Sequence, residues 1–404
     1  MSTSTTSAAA AHDEPPVVGI DPPGVLTLSP LRLRLQQQAG VCPIRTPVGD
    51  PAWLVTRHAE VATLLTDNRL GRSHEDPAHA PKFLDNPMLD MLITDAPPEV
   101  ELQEHLTKRA MYTASFAARR VLDRRASVEA IAERLLDRIE EAGAPADLHE
   151  AWSMPFPQQA LCDMMGIPDD EREPLLSMMD RVGDTTDAAD SHAGMEALFE
   201  RASATAAGVR AAPGDNVVSR FVETGLDDRA IATHIVALLF TGLSGLASHV
   251  DFGTLLLLLR NPEQRRRAVA DPDVMSRAVD EVLRATIGAP VLPRYAHTDI
   301  EVDGVTIRRG DLVMVDFSLA NHDPRVFDDP FTFDVDRVPN PHFTFSHGLR
   351  HCTGAPLVRI ILGVAYRALF ERFPALRLAV DDSELAPHPG GRLAGGLAAL
   401  PVTW

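Results

Sequence analysis

Apolar residues recur at spacings of three and four along most of this chain, and that rhythm predicts a mainly helical protein. Residues 57–66 (RHAEVATLLT) follow a short strand candidate at 52–55 and carry the helical pattern. Residues 127–141 alternate Ile, Leu and charged positions as an amphipathic helix, ended by Gly143 and Pro145. The longest helical pattern, residues 227–260, is apolar on most faces and stops at Asn261-Pro262. A helix of that kind belongs in the middle of the molecule. Strand signals are few. Residues 300–315 alternate around Asp303-Gly304 and Arg309-Gly310, which predicts a small antiparallel sheet. Residues 321–337 have no period and several Pro breaks, predicting an ordered meander. The glycine pairs 390–391 and 395–396 predict a closing hairpin.

Composition changes this picture little. The chain has 404 residues, 45% hydrophobic and 24% charged, as globular proteins do. Residues 1–17 are Ser-, Thr- and Ala-rich, with neither a basic start nor an apolar stretch; they are expected to be a disordered tail, followed by one catalytic domain at 18–404. The net charge of −19 argues against nucleic-acid and anionic-membrane partners. Residues 231–259 carry His234, Ser244, Ser248, His249 and Asp251, which a lipid-facing span tolerates poorly, so no membrane anchor is expected. Three dispersed cysteines, Cys42, Cys162 and Cys352, suggest no disulfide framework and a reduced, cytoplasmic setting.

Candidate chemistry centres on residues 343–359, FTFSHGLRHCTGAPLVR. A polar loop delivers Cys352 to the start of a helix running from 355 to about 373. Gly354 permits close backbone approach, and Pro356 suits the first turn. Backbone N–H groups and the helix dipole lower a thiol's pKa there and favour a thiolate metal ligand. Read from the loop alone, two alternatives stay open: a buried structural cysteine, or a zinc site built from His347, His351 and Cys352.

FSHGLRHCTG resembles the heme-binding signature of the cytochrome P-450 superfamily, through Phe345, Gly348, Arg350, Cys352 and Gly354. Ser346 departs from it, standing where bacterial members usually have glycine. Glu281 and Arg284 resemble the family's Glu-x-x-Arg pair, Arg337 its third member, and residues 320–330 the meander that the network locks. Arg294 resembles an arginine that pairs with a heme propionate; Arg350 would pair with the other. The resemblance implies a triangular helical prism with a small antiparallel β region and heme b between two helices, its iron held by the Cys352 thiolate. It also implies a small-molecule substrate, a ferredoxin with its reductase docking near Arg350 and Arg359, and a monomeric enzyme.

Two departures bear on function. The family's central helix carries Ala-Gly-x-Asp/Glu-Thr-Thr, whose acid and threonine deliver protons. Here Gly242 matches, but Ser244 stands at the acid and Gly245 at the threonine. After Asp95, bacterial members place a propionate-binding histidine and arginine. Val100 or Glu101 takes the first place and His105 is the substitute for the second, with Lys108 and Arg109 as alternatives. The implied substrate pocket includes Thr241, Ser248, Val291, Leu292 and Leu393. With the segments GAPADL and LPVTW, the missing acid–threonine pair resembles cyclodipeptide-tailoring members of the family, which form C–C or C–N bonds by radical coupling. The expected function is therefore heme-thiolate oxidation in natural-product biosynthesis by such coupling. The alternatives are substrate-assisted hydroxylation or epoxidation, and a non-catalytic heme- or ligand-binding protein.

Overall fold

The computed structural model describes residues 14–19, 24–184, 187–259, 261–288, 293–388 and 396–404, with the side chains of residues 244, 258 and 259 left aside. Ten strands occur among the described residues: β1 (Val41–Arg45), β2 (Pro51–Val55), β3 (Leu70–Gly71), β4 (Ala146–Asp147), β5 (Arg294–Ala296), β6 (Ile300–Val302), β7 (Val305–Ile307), β8 (Leu312–Val315), β9 (Arg377–Leu378) and β10 (Pro401–Thr403). The helices include α1 (His58–Thr66), α2 (Pro98–Ser115), α3 (Arg125–Ala142), α4 (Pro155–Met165), α5 (Ala188–Ala211), α6 (Asp228–Leu259), α7 (Pro272–Ala285) and α8 (Ala355–Arg372). The prediction of a mainly helical molecule with a minor β region holds.

The helices form where the spacing puts them. In α3, Val128, Ile131, Ala132, Leu135, Leu136 and Ile139 are buried on one face, and Gly143 ends the helix. In α6, Ile231, Ala232, Ile235, Val236 and Leu239 are fully buried at one end, and Leu255 and Leu257 almost fully at the other. Long and apolar enough to cross a bilayer, α6 instead runs through the core, packed on α4, α5, α7 and α8.

The strands correct one expectation. Residues 300–315 do not make one antiparallel sheet. β6 and β7 form a two-stranded hairpin, whereas β8 leaves it and pairs parallel to β2 and antiparallel to β5. β8 is buried at every position and reads as a core strand rather than an edge. The resulting five-stranded sheet has the order β1-β2-β8-β5-β3. β10 closes the chain between β4 and β9. Of the expected hairpin, Pro387 pairs with Leu397, and its tip falls outside the described residues. Residues 14–17, assigned to the tail, lie against the sheet: Val17 bridges Arg45, and Glu14 pairs with the Arg45 guanidinium at 2.9 Å.

A candidate heme site between the central helix and the cysteine loop

α6 and α8 meet closely at one place. The Tyr366 hydroxyl of α8 donates to the His249 carbonyl of α6 at 2.6 Å, and any side chain at Gly253 would collide with that tyrosine. Away from this contact the helices part. Gly245 has nothing within 4 Å of where a Cβ would stand, and Thr241, in the middle of a core helix, is exposed. Such a helix has an exposed middle only if it walls a cleft.

Cys352 stands immediately before α8 and packs against the core cluster that includes Leu246 and Val250 of α6. It is half-buried, whereas Cys42 and Cys162 are buried. Its N–H donates to the Phe345 carbonyl at 2.8 Å, which folds the loop back on itself. Gly348 adopts φ 66°, and a Cβ there would press on Thr66 and the Leu65 carbonyl at 3.1 and 3.2 Å. Ser346 adopts φ 60°, the left-handed region that explains why glycine is usual at this place. Gly354 has an ordinary φ of −83°, and a Cβ there would meet the Cys352 sulfur at 3.7 Å. Burial pushes the Cys352 thiol up, against the pull of the Gly354 and Ala355 N–H groups and the charges of Arg109 and Arg359. A metal cation at the sulfur removes the proton outright.

The zinc alternative finds no support. Among the described residues, the one group of three ligand-type side chains close enough to share an ion is Asp85, Asp90 and His192. Instead, the His351 ring packs on Phe345, and the His347 ring on Phe343.

The cysteine loop rests on a buried ionic network. Glu281 and Arg284, three residues apart on α7, have no exposed side-chain surface. The guanidinium reaches both carboxylate oxygens, at 2.7 and 2.8 Å, and donates to the carbonyls of Asn321, Pro330 and Thr332. Arg337 and Asn340 add bonds to Glu281 at 3.2 and 3.1 Å. The irregular meander is thereby fixed by side chains where it has no backbone ladder.

One edge of the cleft is a cation cluster. Arg294 at the start of β5, Arg72 after β3 and Arg350 of the cysteine loop lie close enough that each of Arg72 and Arg350 lowers the pKa of Arg294 further, beyond the effect of its burial. Burial, then Arg350, holds Arg72 down at about 10, and its Nε has no partner. A single carboxylate, Glu101 at the start of α2, faces the three, and it pairs with Arg350 at 2.8 Å. Burial alone would raise the Glu101 pKa; Arg350 outweighs it and holds the carboxyl below its usual range. Three half-buried guanidiniums against one buried carboxylate fit a dianionic group, and heme b carries two carboxylates.

Of the two residues the sequence left open, Glu101 is the one that reaches the cluster. Val100 is exposed, whereas Glu101 is buried. His105 faces the cysteine loop, its Nε2 3.4 Å from the Leu349 carbonyl; burial, with Arg350, holds its pKa down at about 4. Arg109 donates to the His351 carbonyl at 2.6 Å. Arg350 points inward, not outward as a docking residue would, whereas Arg359 is partly exposed and pairs with Asp280 at 3.0 Å. Sequence reading missed Arg72. No motif or spacing in the sequence marks it, since β3 is two residues long.

On the distal side, Gly242 packs on Leu161. The Thr241 hydroxyl donates back to the Ala237 carbonyl at 2.7 Å. Ser248 is buried, with Gly396 of the closing segment above its hydroxyl at 3.7 Å from the ideal Cβ. Val291, Leu292 and Leu393 lie outside the described residues, as does the Ser244 side chain.

A helical prism with a cysteine before one helix, a cation cluster beside it and a second helix walling the cleft defines a heme-thiolate enzyme. The chain belongs to the cytochrome P450 family. That family's model matches residues 220–389. Pentalenolactone synthase of Streptomyces exfoliatus is 34% identical over 97% of this chain and 100% of its own. The mycinamicin IV hydroxylase/epoxidase of Micromonospora griseorubida is 32% identical over 94% and 96%. Among solved structures, the substrate-free cytochrome P450 PimD, described as a polyene macrolide antibiotic pimaricin epoxidase, superposes with a TM-score of 0.88 at 42% identity, covering 98% of this chain and 100% of that one. The cofactor is heme b with an axial cysteine thiolate, and the enzyme is a heme-thiolate monooxygenase.

Proposed function

We propose that this enzyme hydroxylates or epoxidises a macrolide-like natural product, with Cys352 as the axial thiolate and electrons from a ferredoxin and its reductase. The observation that carries this reading is the 42% identity, across nearly the whole chain, to a polyene macrolide epoxidase. The mycinamicin hydroxylase/epoxidase points the same way. Radical coupling of a cyclic dipeptide, the expectation from sequence, rests on the missing acid–threonine pair and short segments, and the relatives favour oxygenation instead.

When bound, the heme activates dioxygen, and thiolate ligation favours O–O cleavage. The chain's own residues do the rest. Arg72, Arg294 and Arg350 would hold the heme's two carboxylates. Gly348 and Ser346 shape the loop that presents the sulfur. The space beside Gly245 leaves room on the distal side, where a substrate hydroxyl or a water can stand in for the absent threonine. Arg359, partly exposed beside the cysteine loop, offers positive charge to an acidic electron carrier.

The test is turnover with ferredoxin, reductase, NADPH and a panel of macrolide precursors under labelled dioxygen. A product heavier by one labelled oxygen atom supports the reading. Coupled or desaturated products without the label overturn it.

A further inference from the structure

The central helix carries an ionisable pair that the heme site does not use. Asp251 of α6 is fully buried, and its Oδ2 lies 2.7 Å from the Nδ1 of His149. His149 opens a π-helical turn (His149–Ser153) packed on α6. Other ionisable groups face the pair from each neighbouring element. Tyr366 comes from α8, His388 has its ring 6.4 Å from that of His149, Asp147 accepts from the His149 N–H at 2.9 Å, and His249 adjoins on α6 itself.

The second oxygen of Asp251 has no hydrogen-bond partner among the described residues. Neither do the Thr254 hydroxyl, three residues on, nor the Ser153 hydroxyl and Trp152 indole N–H of the turn. All four residues have no exposed surface. A buried polar atom left bare costs about 1–3 kcal/mol, and groups of such atoms are where internal water binds. A pair built only to pin the helix would leave no such spare capacity.

On the helix surface the pair lies near the substrate side. Gly245, Ser248 and Asp251 follow one another at steps of three, on adjoining positions of the helix surface. The first opens onto free space, and the second lies beneath Gly396.

We propose that Asp251 and His149, with water held among the Thr254, Ser153 and Trp152 groups, form the proton reservoir of the distal side, feeding through Ser248 into the space beside Gly245. The proposal rests on the oxygenase reading. Inserting one atom of dioxygen into a C–H bond consumes two electrons and two protons and releases one water. The electrons come from the ferredoxin; the protons come through this relay, and solvent water replenishes it. Asp251 and His149 act at a distance, as positioning residues.

The experiment compares wild type with Asp251→Asn, Asp251→Glu and Ser248→Ala, each loaded with heme and checked for an unchanged thermal midpoint. Without any substrate, NADPH-driven reduction of dioxygen to hydrogen peroxide also takes up two protons, so its pH profile and solvent isotope effect report the relay directly. Asp251→Asn and Ser248→Ala should slow peroxide formation by about a hundredfold and abolish its pH dependence, and Asp251→Glu should restore it. Nitrogen NMR of labelled histidine in the ferrous carbon monoxide form gives a second readout. The His149 signal, assigned by its loss in His149→Gln, should titrate at lower pH in Asp251→Asn, because a carboxylate favours the imidazolium. Wild-type rates and pH profiles in both Asp251→Asn and Ser248→Ala overturn the relay. If the relay variants behave as stated while wild type incorporates no labelled oxygen into any macrolide, the relay stands and the substrate reading falls.

Discussion

On the cysteine side of the cleft, both oxygens of Glu281 and all three nitrogens of Arg284 have protein partners. On the central-helix side, Asp251 Oδ1, Thr254 Oγ1 and His249 Nδ1 are buried and have none. The first region pairs every charged atom of its ionic core and so fixes where a sulfur sits, with the Asn340 Oδ1 and the Ser346 hydroxyl at its margin unpartnered among the described residues. The second leaves an oxygen of its buried carboxylate unpaired, together with the polar atoms beside it. Proximal geometry must be the same in every catalytic cycle, so it is held by many bonds. The distal side must admit ligands of different shape, and a helix that can pair all its polar atoms internally leaves nothing for them.

The harshest way to break the comparison is at the sulfur. Cys352→Ala should abolish the thiolate-ligated band in the reduced carbon monoxide difference spectrum, with the fold retained by circular dichroism. A surviving band would move the ligand to Cys42 or Cys162, both of which burial pushes up as thiols.

Next in size is the network itself. Arg284→Met leaves the fully buried Glu281 with Arg337 and Asn340 but without its bidentate partner. Removing one partner of a buried pair costs about 3–5 kcal/mol. The thermal midpoint should fall steeply, and heme content on purification should fall with it. A loss no larger than that of Arg267→Met, whose pair with Asp336 is exposed, would mean that the network is ornamental.

Arg72 tests whether the cation cluster holds the cofactor. Arg72→Ala should speed transfer of heme to a competing apoprotein by about ten- to a hundredfold, the value of one or two charge-assisted bonds at about 1.5–3 kcal/mol. The variant should be no less stable than wild type when stripped of heme, because Arg72 is then a half-buried cation beside two others. Equal transfer rates would separate Arg72 from the propionates.

These regions also differ in how much of them the sequence reveals. The cysteine loop was legible because its demands are local: a left-handed glycine at 348, a turn, a helix start. The Glu281–Arg284 pair was legible because three residues on one helix is a fixed geometry. α6 announced itself through its apolar length. The fate of β8 was misread: Leu312–Val315 is an unbroken apolar run, the pattern of a strand buried on both faces, which the alternating residues before it draw into one sheet. Arg72, Glu101 and Arg294 come together from β3, α2 and β5, over more than two hundred residues, and no local spacing records that. His149 and Asp251 are 102 residues apart and were invisible as a pair for the same reason.

A gentler probe is acid. Burial pushes His234 and His249 on α6 and His322 in the meander down to about 4, from an ordinary 6.5. The fold therefore keeps them neutral while the unfolded chain takes up protons below 6.5. Stability from this source is present above pH 6.5 and is lost as pH falls from there toward 4. Thermal midpoints should drop through that window before the carboxylates titrate. His249→Gln should flatten the slope, since His249 has the unpartnered nitrogen; an unchanged slope would assign the effect to His234, His322 and His105, which is held down to about 4 as well.

The smallest effect is the most discriminating for the distal side. Gly245 is mid-helix and meets nothing within 4 Å, so Gly245→Ala should stabilise the protein by about 0.5–1 kcal/mol through helix propensity alone. A glycine that costs stability and fills no steric need is retained for the space it leaves. If that space receives the substrate, Gly245→Ala should raise the thermal midpoint by about one degree while weakening binding of the true substrate, read from the heme absorption shift. Stabilisation without any change in binding would return Gly245 to an accident of the helix and leave proton delivery to Ser248 and the groups behind it.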